Sequence, residues 1–152
     1  MRRSALVPLL ALLLASCGDA VTDPSREGFQ GNPRLIEGDW ATIFRTQAGA
    51  DRYDGELLPA GGEFIGEFTF FRAGRVIRIF FNDALWDGSR LTFTTGPLPG
   101  TSFPEEVAWT AIYFPASGDE PTQLRLTSPA IGGASFPVLY VRPADLEWLE
   151  NR

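Results

Sequence analysis

From residue 37 onward the apolar residues of this chain recur every second position, and no 3.6-residue period interrupts them before residue 143. Period two is the signature of a strand with one face in a core and the other toward solvent. Asp39 to Arg45 places Trp40, Thr42 and Phe44 on one face. Phe64, Gly66, Phe68 and Phe70 share a face opposite Ile65, Glu67 and Thr69. After the Ala73-Gly74 turn, Ile77, Ile79 and Phe81 alternate with Val76, Arg78 and Phe80. Further strands are read at Arg90 to Thr95, Glu106 to Phe114, Gln123 to Thr127 and Pro137 to Arg142. Gly, Pro, Asp and Ser clusters bound these runs, as turns require. Seven strands are clear, and a short eighth is read around Glu56 to Leu58. Ala144 to Glu150 predicts one or two helical turns, with Leu146 and Leu149 three apart.

Sequential strands with short connections predict an all-β fold, an antiparallel up-and-down barrel with a short C-terminal helix. A two-sheet sandwich is the alternative. The longest connection, from Pro97-Leu98-Pro99-Gly100 to Pro104, is expected to line a mouth or cover a strand edge.

The N-terminus has a different character. Arg2 and Arg3 precede an apolar run from Ala5 to Ala15. That run is too short to span a bilayer, which needs about 17–25 residues, and fits a secretory signal peptide. Its end, Leu14-Ala15-Ser16-Cys17, resembles the lipobox of bacterial lipoproteins. The resemblance implies removal of residues 1–16 and lipidation of Cys17 with a diacylglyceryl group and a further acyl chain such as palmitate. It implies a membrane partner reached through lipid. Gly18, where an Asp would signal inner-membrane retention, favours the periplasmic face of an outer membrane in an organism that has one, with Asp19 one place further on. Residues 17–37 then read as anchor and tether, polar and without apolar period, and residues 38–152 as the barrel domain.

A second resemblance lies at the start of the first strand. In Ile36-Glu37-Gly38-Asp39-Trp40, the Gly38-x-Trp40 pair is similar to the Gly-x-Trp motif of lipocalins and other calycins. The resemblance implies that Trp40 closes one barrel end and that Arg142, from the last strand, packs across it.

Composition removes several kinds of chemistry. The chain of 152 residues has no histidine and one cysteine. Ser-His-Asp and Cys-His catalytic units, Cys/His zinc sites and a disulfide framework are therefore excluded. A net charge of −6 disfavours nucleic acid as a partner. No glycine loop matches a nucleotide motif, and no cofactor is implied. Asp83 and Asp87, with Asn82, are read as turn residues rather than calcium ligands, so no metal is expected. Glu67, if buried, would have a raised pKa, but its place opposite the Phe face assigns it to solvent. Arg72, Arg75 and Arg78 cluster around one turn.

The remaining resource is aromatic, 12% of the chain. Trp40, Phe44, Phe64, Phe68, Phe70, Ile77, Ile79, Phe81, Leu91, Phe93, Val107, Trp109 and Tyr113 are expected to point inward, with Arg75 the one charge on that face. Such an interior either packs solid or accepts an apolar guest. The first expectation is a non-enzymatic, lipid-anchored envelope protein binding a small apolar or amphipathic ligand. Phe44, Phe68, Phe70, Arg75, Ile79, Phe93, Trp109 and Tyr113 would line that site. The second is a non-catalytic lipoprotein with a filled β core that acts through its surface on a structural or protein partner.

Overall fold

A computed structural model describes residues 28–98, 101–103, 105–135 and 137–152. Eight strands form: β1 (Gly38–Thr46), β2 (Gly49–Ala60), β3 (Glu63–Arg72), β4 (Arg75–Trp86), β5 (Arg90–Thr95), β6 (Val107–Phe114), β7 (Gln123–Thr127) and β8 (Val138–Val141). Each is antiparallel to the next, and Ala41 of β1 pairs with Val141 of β8, which closes the sheet into a barrel. That pair removes the sandwich alternative. A 3-10 turn at Pro143–Asp145 leads into α1 (Leu146–Glu150). α1 is held against β1, where the Arg45 guanidinium donates to the carbonyls of Leu149 and Glu150.

Two strands differ from the alternation. β2 is twelve residues long, not a short piece near Glu56. Its first half, Gly49 to Asp54, is exposed apart from half-buried Tyr53, so it carries no apolar period to read. It forms because β1 supplies an unbroken ladder, from Gly38 opposite Leu57 to Thr46 opposite Gly49. β4 runs on through Asp83 to Trp86, most of the stretch up to Asp87 that reads as a turn. Its register against β3 slips, with Phe81 opposite Gly66 but Ala84 opposite Phe64. This bulge reverses the parity of the strand. Ile79 and Phe81 point inward before it, Ala84 and Trp86 after it, and Leu85 turns out.

β2 and β3 pair only from Glu56 opposite Glu67 to Ala60 opposite Glu63. Beyond that they part, β2 following β1 and β3 following β4. Tyr140 of β8 reaches across the lumen to this gap. Its phenol accepts from the Thr69 N–H and donates to the Thr69 carbonyl, supplying the partner that β2 has withdrawn. Gly55 makes the crossing possible. A Cβ there would lie 2.9 Å from a Phe68 ring carbon and 3.2 Å from a Tyr140 ring carbon.

Both barrel ends are covered. At one end residues 28–37 cross the opening. Phe29 rests on Phe64, with centroids 4.9 Å apart, and Ile36 is fully buried. The Trp40 indole N–H donates to the Ile36 carbonyl at 2.7 Å. At the other end Leu98 is buried and Phe103 packs on the core, with the Arg72 guanidinium 5.5 Å from the Phe103 centroid. The proline-rich connection thus covers an end, although Pro99, Gly100 and Pro104 lie outside the described residues.

Candidate functional site

The interior is a run of aromatic contacts. Tyr140 meets Phe68 at 4.8 Å between centroids, and Phe68 meets Phe81 at 5.7 Å. Phe81 stacks on Phe93 at 4.0 Å, and Phe93 lies parallel to Trp109 at 6.1 Å. Phe70 meets Trp109 at 5.1 Å. Eight strands enclose just enough width for such side chains to interdigitate. The only polar side chains among these rings, Tyr140 and Trp109, have their hydrogens committed, Trp109 to the Thr95 hydroxyl at 2.9 Å.

Of the residues expected to line a ligand site, Phe68, Phe70, Ile79, Phe93 and Trp109 are buried in this stack. Phe44 is half-buried and meets Tyr53 and Phe71, at 5.2 and 6.0 Å between centroids, near the β2–β3 gap. Tyr113 is half-buried near the end crossed by residues 28–37, edge-on to Trp86. Arg75 is not inside. It has the inward parity of Ile77, but it sits at the tip of the β3–β4 hairpin, paired with Arg72 beyond the core, and is exposed. Alternation assigns a face and not a height, so a residue past the rim of the barrel meets water. Cys17 and residues 1–27 lie outside the described residues.

The Arg142 guanidinium lies over Trp40, 4.0 Å from the ring centroid. Its nitrogens donate to the carbonyls of Leu35, Glu37 and Asp39 at 3.0, 2.9 and 3.1 Å. One cation thereby ties residues 35 and 37 to β1 over the Trp40 indole. Partial burial lowers its pKa from the ordinary value. Asp87 caps the β4–β5 turn. Its carboxylate accepts from the backbone N–H groups of Ser89 and Arg90, which hold its pKa below the usual carboxylate value. That is turn chemistry, the role its sequence context assigned.

Glu67 faces outward, 3.5 Å from the Arg78 guanidinium. It borders the feature that sequence reading passed over, an apolar area on the outer face of β2, β3 and β4. Leu58 is paired with Ile65, and Phe80 with Glu67. Phe80 is 65% exposed, Leu85 56% and Leu58 43%. Leu58, Ile65, Phe80 and Asn82 border a shallow depression of about 390 Å³. The signal was present in β4, whose Val76 and Phe80 make both of its faces apolar.

Among the described residues no group of three or more Asp, Glu, Cys or His side chains is placed to hold a metal ion. No protein-family profile, no curated protein and no solved structure matches this chain.

Proposed function

We propose that this chain is a non-catalytic, lipid-anchored envelope protein whose ring-filled barrel acts through its outer surface. The observation that carries this reading is the aromatic interior. Phe68, Phe81, Phe93, Trp109 and Tyr140 are in mutual contact along the lumen where an apolar guest would have to sit. Admitting a ligand there means separating packed rings, each contributing about 1.5–3 kcal/mol through its burial. The surface also supports it, since the Phe80, Leu58, Ile65 and Leu85 area has the character of a contact site. Anchoring rests on the Leu14-Ala15-Ser16-Cys17 junction, and Gly18 after it favours the periplasmic face of an outer membrane in an organism that has one. Closure of the barrel by Trp40 under Arg142 supports the lipocalin resemblance at the level of architecture.

Two measurements test the reading. Intact mass of the membrane-extracted protein should show acyl groups on Cys17, lost with sedimentation in the membrane fraction on Cys17→Ser. Titration with a fluorescent fatty-acid analogue should give no saturable quenching of tryptophan emission. Saturable micromolar quenching would favour the ligand-binding alternative and refute the filled-barrel reading.

A further inference from the structure

The outer apolar face lies beside the point where the chain enters the barrel. Gly28, the first described residue, packs against the β2–β3 turn, so that a Cβ on it would touch the Gly62 Cα at 3.4 Å. Leu58 and Ile65, a directly opposed pair, stand four and three residues from Gly62. At about 3.3 Å per residue they are roughly 10 Å from that turn. Phe80 is paired with Glu67 one step further along the face, and Leu85 follows the bulge. Cys17 precedes Gly28 by eleven residues, which extend to about 40 Å at most. A lipid on Cys17 therefore keeps the barrel within about 40 Å of a bilayer, with the chain entering the barrel beside this face.

Charges of both signs border the face. Val76, Arg78 and Phe80 alternate outward along β4, and Arg75 lies at the hairpin tip opposite Arg72. Apolar side chains between arginines suit the boundary between acyl chains and headgroups. Glu67 is met by Arg78, whereas Glu56 and Asp83 are exposed near the same area. Anionic lipid thus gains little, and apolar insertion has to carry the contact.

We propose that the outer face of β2, β3 and β4, centred on Phe80, Leu58 and Ile65, docks on the lipid surface to which Cys17 anchors the chain. The proposal rests on the anchoring reading above. The barrel then lies on its side, with the β6–β7 wall turned away from the membrane.

The test uses the full chain, acylated and reconstituted in phosphatidylcholine vesicles, with an environment-sensitive nitrobenzoxadiazole probe on Phe80→Cys. Acylated Cys17 has no free thiol to compete for the label. The same probe on Ala108→Cys, exposed on β6, is the reference. Both sites are surface positions, and unchanged melting temperatures show that the fold is kept. The expected result is a several-fold rise in emission and a several-fold fall in iodide quenching at position 80 when vesicles are present, with position 108 unchanged. The protection should persist at high salt and without anionic lipid. Equal quenching at both positions, with acyl mass present on Cys17, overturns the docking and leaves the anchor standing. Protection of position 80 in detergent-free solution that scales with protein concentration overturns it in favour of a second copy. Absence of acyl mass overturns the anchor, and the docking with it.

Discussion

Tyr140→Phe isolates the device that fills the gap between β2 and β3. The ring stays, so its contact with Phe68 is kept. Only the hydroxyl is lost, and with it both bonds to Thr69. Tyr140 is fully buried and Thr69 is 1% exposed, so water cannot readily replace the oxygen. A buried backbone N–H left without an acceptor costs about 1–3 kcal/mol, and the orphaned carbonyl adds to that. For a domain of this size each kcal/mol lowers the melting temperature by about 3–5 °C, so a drop of at least about 3 °C is expected. Circular-dichroism melts read it, and the Thr69 amide should exchange faster with deuterium. Alkaline pH gives an independent reading. Burial pushes the Tyr140 phenol above its ordinary value of 10. The unfolded chain therefore ionises first, and stability is full below pH 10 and falls as pH rises beyond it. There is no lysine to titrate in the same window. In Tyr140→Phe that part of the alkaline loss disappears. A variant with unchanged melting temperature and unchanged Thr69 exchange would refute the bridging role.

Gly55→Ala should lose about 1–3 kcal/mol in urea unfolding, because its methyl meets the Phe68 and Tyr140 rings and the Glu67 carbonyl within 3.2 Å. Stability equal to the parent would mean the crossing has room to spare. Arg142→Met should lose about 1–3 kcal/mol by the same assay, through the carbonyls of Leu35, Glu37 and Asp39 and the Trp40 face. Arg142→Lys should recover only part, since an ammonium lacks the planar fork, and full recovery would assign the effect to charge alone. Asp87→Ala should flatten the acid limb of the stability curve. The lowered carboxylate pKa contributes stability above the ordinary value of 3.8, which is lost as pH falls through the lower native value. An unchanged acid limb would show that the cap is dispensable.

Most of the strands, their order and the all-β class were legible because one face of each strand is buried and the other wet, and period two records that difference directly. Trp40 and Arg142 were legible through a short motif and its place in the chain. The first half of β2 was not, since a strand exposed on both faces is held by its neighbour's backbone and leaves no pattern. The end of β4 was read as a turn around Asp83 and Asp87 because a bulge breaks the alternation there, and a bulge is a property of two strands in register. Arg75 had the inward parity but not the inward position, because height along a barrel depends on where the neighbouring strands end. The sequence by itself determined which residues are apolar, in what period, and that the chain carries a lipobox-like junction. Only the tertiary structure decided that the rings fill the lumen, that Tyr140 bridges a parted pair of strands, and that Leu58, Ile65 and Phe80 form one exposed face. Each of those facts is a distance between residues remote in sequence, and closure of the barrel is what sets such distances.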